Sequence, residues 1–188
     1  MSQNPDGLQA QLAEVEARQS RPPIEQWNPD YSGDIDIRIA RNGDWYYQGE
    51  KMAREALVRL FSTILRREDD GEYYLVTPVE KWRIQVEDAP LLAHSLEVSG
   101  QGEDQLIRLT TNTGESIQVD RQHPLKVDSY PGSDEPRPVV RLEHGLEARL
   151  VTAAFYELAR YVTEQPDGNT SRVGVWSAGE FFELGEGA

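Results

Sequence analysis

The sequence predicts a duplicated α+β fold, and three observations carry that reading. Two long stretches place apolar residues at the helical period. Short aromatic and β-branched runs with strand alternation surround both. The order of pieces around the first helix recurs around the second.

Size and composition agree with this. The 188 residues suffice for one sizeable domain or two small lobes. With 38% hydrophobic and 28% charged residues, the chain falls in the globular class. The net charge of −14 argues against nucleic acid and against an anionic membrane surface, since both need clustered Lys and Arg. A local basic pocket for a small anion stays open. The chain has no cysteine, which excludes disulfides, thiolate metal sites and Cys nucleophiles. "MSQNPDGLQAQLAEVEARQ" has neither the basic start nor the apolar stretch of a secretory signal, and no window approaches a membrane span. A cytoplasmic location is expected.

Element by element, residues 1–20 are polar, with Leu8, Leu12 and Val15 spaced for a short amphipathic helix. "SRPPIEQWNPDYSG" is irregular. In "DIDIRIARNGDWYYQG", Ile35, Ile37 and Ile39 alternate with Asp36 and Arg38, a half-buried strand. Asn42-Gly43 then predicts a type I′ turn into a return strand from Trp45. "KMAREALVRLFSTILRRE" predicts one long helix with Ala53, Ala56, Leu57, Leu60, Phe61, Ile64 and Leu65 as its stripe, and Arg66 and Arg67 at its C-terminus. "YYLVTPVEKWRI" predicts a hairpin. "LEVSGQGEDQLIRLTTNTGESIQVD" reads as three strands and two turns, and "SYPGSDEPRP" as a loop. "VVRLEHG" is a strand. "LEARLVTAAFYELARYVT" predicts a second helix, and "RVGVWSAGEFFELGEG" two closing strands. The expected organisation is a polar segment at 1–20, an N-terminal lobe at 21–98 and a C-terminal lobe at 99–188.

An offset of 100 residues superposes the two hairpins, setting Thr77 on Ser177, Glu80 on Glu180 and Trp82 on Phe182. "IRIARNG" likewise resembles "VRLEHG". Two units are too few for a solenoid, so a duplicated α+β fold fits.

"LVRLFSTILRREDDGEYYLVTPVEKWRIQVEDAP", with "TNTGE", "HPL", "VRLEHGLEARL" and "GVWSAGEFFELG", resembles a bacterial family of uncharacterised proteins, a domain of unknown function. The resemblance spans roughly Arg21 to Gly185. It implies a duplicated α+β core and a C-terminal half superficially like a pleckstrin-homology fold. It also implies a cleft between the two halves for a nucleotide-like ligand and a role in signal transduction linked to oxidative stress. It brings no enzymatic activity. Relatives often carry another basic residue after "LEARL", whereas this chain reads Val151-Thr152-Ala153, which would weaken an anion site.

Arg141, Glu147 and Arg149 are the first site candidates. A strand ending at Gly145 and feeding a helix would gather N–H groups and guanidinium groups suited to phosphate. The alternative is a solvated face on which Arg141 and Arg149 pair with Glu143 and Glu147. His123 could bond a ligand phosphate or act as a base, or be a turn residue before Pro124. Lys81 stands where the second hairpin has Phe181, and Trp82 could stack on a base. Glu80 reads as a turn residue shared with Glu180. Asp34-x-Asp36 lacks a third ligand, so it reads as a solvated face. No nucleophile–base pair, metal cluster, Walker motif or dinucleotide loop is present, so no catalytic residue, metal or cofactor is expected. The expected function is a non-catalytic, ligand-binding regulatory protein taking a nucleotide-like or phosphorylated small molecule. A protein-interaction module with a basic partner is the alternative, and a hydrolase or transferase the third.

Overall fold

The computed structural model describes residues 21–186 together with Pro5, Gly7 and Leu8. These three are helical, but the rest of the amphipathic helix expected over 1–20 lies outside the described residues. The chain divides into two compact units. The first holds residues 1–90 with His144–Leu146, and the second holds Leu91–Glu143 and Glu147–Ala188. The division after Pro90 gives the strand Leu91–Ser99 to the second unit, upstream of the boundary expected at 98. No helix among the described residues is long and apolar enough to cross a membrane.

The first unit is built on a six-stranded sheet. Its strands are β1 (Tyr31–Ile39), β2 (Trp45–Tyr47), β3 (Glu50–Lys51), β4 (Leu65–Arg67), β5 (Tyr73–Val76) and β6 (Lys81–Val86), ordered β3-β2-β1-β6-β5-β4. Only β1 and β6 pair parallel; the other neighbours are antiparallel. Alternation sorts the side chains onto two faces. Ile35, Ile37 and Ile39 share the apolar face with Trp45, Leu75 and Trp82, all buried. Helix α1 (Glu55–Ser62) packs there through Phe61, whose ring lies 6.3 Å from that of Trp45. The expected alternation of β1 is therefore observed.

The first helix is shorter than its apolar stripe suggests. Ser62 and Thr63 donate their hydroxyls back to the carbonyls of Arg59 and Leu60, both at 2.6 Å, and close the last turn. The chain then extends. Leu65, Arg66 and Arg67 form the edge strand β4 opposite Leu75, Tyr74 and Tyr73, so neither arginine sits at a helix C-terminus. The Asn42-Gly43 turn also differs from expectation. Only Gly43 takes positive φ, while Asn42 accepts the Asp44 N–H on its side-chain oxygen at 3.0 Å. The type I′ turn falls next door, at Gln48 (φ 50°) and Gly49 (φ 81°), between β2 and β3.

The second unit repeats the sheet topology. Strands β7 (Leu91–Ser99), β8 (Leu106–Thr111), β9 (Ser116–Gln118), β10 (Leu125–Ser129), β11 (Pro136–Arg141) and β12 (Glu147–Leu150) are ordered β10-β11-β12-β7-β8-β9. Again the first and last strands pair parallel, β7 with β12. Adding six to every strand number of the first sheet reproduces the second, so the duplication expected from sequence is present in the topology. The equivalence runs β1–β6 to β7–β12, however, and not along the 100-residue offset. The second helix α2 (Thr152–Ala159) follows β12, and a separate antiparallel sheet of β13 (Thr163–Asp167), β14 (Thr170–Ser177) and β15 (Glu180–Glu186) comes after it. "LEARL" is not helical. It alternates buried Leu146, Ala148 and Leu150 with Glu147 and Arg149, which is strand periodicity.

The two hairpin tips also do different work. Thr77, fully buried, accepts the N–H groups of Glu80 at 3.0 Å and Val79 at 3.3 Å within its own turn. Ser177, equally buried, accepts the Ile107 N–H at 3.0 Å and donates to the Val119 carbonyl at 2.5 Å. Ala178 and Gly179 make a type I′ turn that Pro78 cannot adopt. Glu180 pairs with Arg121 rather than capping its turn.

Candidate functional site

On β11 and β12, Arg141 faces Glu147 and Val139 faces Arg149. Cross-strand partners share a face, and so do alternate residues along a strand. Arg137, Arg141, Glu147 and Arg149 therefore lie on one face. Val140, Ala148 and Leu150 point the other way, into the hydrophobic core of the unit. Arg137 donates to Glu147 at 2.7 Å, with side-chain exposures of only 16% and 17%. Arg149 is half-buried and Arg141 exposed. On β10, Lys126 stands opposite Val139 and Asp128 opposite Arg137, so three guanidinium groups, one ammonium and two carboxylates share this face, around the fully buried Val139.

Three of the sequence-predicted residues, Arg141, Glu147 and Arg149, are brought together here, though by a strand pair. The helix N-terminus expected beside them is absent, because α2 begins only at Thr152. Arg137 belongs to "SYPGSDEPRP", whose prolines and glycine predict a loop, but the structure places it in β11. The alternation Arg137, Val139, Arg141 was the available signal.

His123 precedes β10. Its Nε2 lies 2.8 Å from Glu143 and its Nδ1 3.2 Å from Asp120. Asp120 also accepts the N–H groups of Gln122 and His123, which fixes the loop. The Arg141 N–H donates to the Pro124 carbonyl at 3.1 Å, tying this loop to the arginine strand. Both ring nitrogens face carboxylates, so the imidazole serves the loop. No group of three His, Asp or Glu among the described residues is placed to hold a metal.

Lys81 lies in the first unit, on the polar face of its sheet. Its amino group is 3.0 Å from Glu68 and 4.8 Å from the centroid of the Tyr74 ring. Burial works to raise the Glu68 carboxyl, but hydrogen bonds from Lys81 and Arg66 outweigh it and hold that group low. Arg66 also donates to the carbonyls of Ile24 and Trp27, each at 2.9 Å. Next along the face, Arg83 forks onto Asp34 at 2.6 and 2.9 Å, and Tyr31 donates to Asp34 at 2.6 Å. The Arg83 bonds, then that of Tyr31, hold the Asp34 carboxyl below its usual range. The Tyr74 hydroxyl donates to Asp70 at 2.5 Å, and that bond pushes the phenol up to about 12. Trp82 does not join this face. It is 97% buried on the apolar side, with a ring carbon 3.2 Å from where a Cβ on Gly33 would stand, so it cannot stack on a ligand in this arrangement.

Between β1 and β6 the register slips: Asp34 to Arg38 on one strand spans only Arg83 to Gln85 on the other. An open groove of about 630 Å³ is found there, lined by Asp34, Asp36, Glu72, Arg83 and Gln85 over Ile35 and Ile84.

Residues 22–89 match the N-terminal domain, and residues 90–184 the C-terminal domain, described as a domain and protein of unknown function, DUF1285. The chain belongs to the DUF1285 family. A solved DUF1285 protein from Silicibacter pomeroyi DSS-3 is 44% identical, with a TM-score of 0.81 and 93% of each chain covered. A second, from Shewanella baltica OS155, is 33% identical with a TM-score of 0.51, over 66% of this chain and 90% of that one. No curated protein matches. Lys81 and Trp82 fall in the DUF1285 N-terminal domain, and His123, Arg141, Glu147 and Arg149 in its C-terminal domain.

Proposed function

We propose that this chain is a non-catalytic binding protein of the cytoplasm, taking a nucleotide-like or other phosphorylated small molecule on the β11–β12 face. One observation carries the reading. Arg137, Arg141 and Arg149 occupy one face of one strand pair, with Glu147 on that pair and Asp128 on β10 as counter-charges, inside a strongly acidic chain. Guanidinium forks match phosphate oxygens, and the half-buried settings of Arg137 and Arg149 strengthen their contacts. Ligand occupancy would be the signal that such a regulatory protein reports. The test is a thermal-unfolding panel of nucleotides, inorganic phosphate and pyrophosphate on the full chain. A ligand at a hundred times its Kd adds about 2.7 kcal/mol to the folded state. Arg141→Ala and Arg149→Ala are expected to abolish the shift, and a shift that survives both overturns the proposal.

A second reading rests on the groove of the first unit. Its three carboxylates, Asp34, Asp36 and Glu72, against the single Arg83 suit a basic protein partner. Binding of a lysine-rich peptide that is lost in Asp36→Lys and kept in Arg149→Ala favours it over the first.

A further inference from the structure

We propose that Asp167-Gly168, at the tip of the β13–β14 hairpin, is a site of spontaneous covalent modification in the folded chain, where aspartate converts to isoaspartate and frees the edge strand β13. The proposal is independent of the anion-binding reading.

Residue type sets the chemistry. In an Asn-Gly or Asp-Gly pair the glycine nitrogen, unhindered by a Cβ, gives up its proton and bonds to Cγ of the preceding side chain. Ammonia leaves an asparagine, and water leaves an aspartic acid, so that a five-membered succinimide closes. Water then opens the ring. Cleavage between the main-chain carbonyl carbon and the glycine nitrogen leaves the chain running through Cγ, as isoaspartate. The side chain must be free to turn onto that nitrogen, and the N–H must not be held elsewhere. Asn-Gly is the more reactive type, because a neutral amide reacts directly whereas a carboxylate must first be protonated.

Three such pairs lie among the described residues, and the fold holds them differently. Asn42-Gly43 is locked. The Gly43 N–H donates to the Ala40 carbonyl at 2.9 Å. The Asn42 amide is pinned through both atoms, its oxygen accepting the Asp44 N–H at 3.0 Å and its nitrogen donating to the Asp44 carboxylate at 3.1 Å. Asp70-Gly71 is locked in the same way. The Gly71 N–H donates to the Glu68 carbonyl at 2.9 Å, and the two Asp70 oxygens accept the Glu72 N–H at 2.9 Å and the Tyr74 hydroxyl at 2.5 Å. Asp167-Gly168 is open. Asp167 faces Thr170 across a two-residue loop in which Gly168 takes φ 64°, the first central position of a type II′ turn. The N–H of that position points out of the hairpin, and Gly168 donates no backbone hydrogen bond among the described residues. The Asp167 side chain is 64% exposed, and its carboxylate lies 3.6 Å from the Arg172 guanidinium, longer than a hydrogen bond.

Modification there has a structural result. β13 is the outer strand of its sheet and pairs only with β14. Routing the chain through Cγ inserts an extra main-chain carbon beside the loop, so the Asp167–Thr170 pair can no longer close in this register.

The experiment incubates the full chain at neutral pH, folded and in guanidinium chloride, until all three pairs react in the unfolded sample. Digestion and mass spectrometry with electron-transfer fragmentation then locate the isoaspartate. Each pair is compared with itself, so the intrinsic difference between Asn and Asp cancels. Asp167 is expected to convert in the folded chain within about twofold of its unfolded rate, whereas Asn42 and Asp70 slow by at least about tenfold, the effect of an opening free energy of about 1.4 kcal/mol. Hydrogen exchange of molecules carrying isoaspartate should quicken in β13 and leave the β8 amides unchanged. An Asp167 slowed as much as Asp70, an Asn42 converting as fast folded as unfolded, or unchanged exchange in β13 after modification overturns the proposal.

Discussion

Ser177→Ala tests how the closing hairpin is joined to the rest of the second unit. The Ser177 hydroxyl is fully buried and serves two backbone groups from distant strands. It accepts the Ile107 N–H at 3.0 Å and donates to the Val119 carbonyl at 2.5 Å. Ile107 and Val119 are themselves fully buried. Alanine leaves both groups without this partner, in a space of one oxygen atom, too small to admit water. An orphaned buried polar group costs about 1–3 kcal/mol, and the N–H has no second option while the carbonyl keeps another lone pair. The expected loss is about 2–4 kcal/mol, or roughly 5–15 °C in Tm for a chain of this size. Native-state hydrogen exchange localises the effect, because the Ile107 amide should lose protection more than its neighbours on β8. Thr77→Val is the comparison: Thr77 is also fully buried, but its hydroxyl serves only Val79 and Glu80 of its own turn, where Val79 is 69% exposed, so an isosteric loss should cost about 1–2 kcal/mol and leave the Ile107 amide protected. A Ser177→Ala protein within about 0.5 kcal/mol of wild type, or one whose Ile107 amide stays protected, refutes the reasoning.

Two further outcomes follow from the first unit. Asp70→Asn removes the carboxylate that accepts the Tyr74 hydroxyl, so the phenol should titrate well below its present value of about 12, towards the ordinary 10. Carbon-13 labelling of tyrosine reads this directly, and an unmoved Tyr74 resonance contradicts it. Gly145→Ala combines a left-handed φ of 71° with a Cβ placed 2.8 Å from the Arg67 carbonyl oxygen. It should cost about 2–4 kcal/mol in urea unfolding, whereas Gly132→Ala, at φ 72° with nothing within 4 Å, should cost only about 1–2. Equal losses at the two positions dismiss the contact with Arg67.

The strands with clean alternation were legible. Ile35, Ile37 and Ile39 announce β1 because one face of that strand is buried and the other wet. The helices were overread for a definite reason. Ile64 and Leu65 continue the helical stripe, yet Ile64 lies in the turn and Leu65 opens the edge strand, because the hydroxyls of Ser62 and Thr63 close the helix before them. In "LEARL" the period-two signal was present but was outweighed by the helix that follows it. At the candidate site, residue type pointed to Arg141, Glu147 and Arg149, while their convergence depended on a strand register that spacing alone does not reveal. The Lys81–Glu68 pair was hidden for the same reason. Trp82 was misplaced because neighbours on a strand face opposite ways: once Lys81 is on the polar face, Trp82 must be in the core.

The duplication shows why matched strings and matched topology can part company. The hairpin around Thr77 and the hairpin around Ser177 look alike because both need a small hydroxyl residue before a tight turn and aromatic residues after it. Yet the first hairpin lies inside the repeated six-strand sheet, and the second lies in the added sheet beyond it. What the two sheets share is the parallel pairing of first and last strands, β1 with β6 and β7 with β12, which brings distant segments together in each. In the first sheet the groove lined by Asp34, Asp36 and Arg83 lies at that join. In the second, β12 sits between β7 and β11 and carries Glu147 and Arg149 to the arginines of β11. The two clusters differ in charge balance and also in position, since the groove lies at β1–β6 while β11–β12 corresponds to β5–β6. The duplication thus repeats the strand order and the parallel join without repeating the placement of charge.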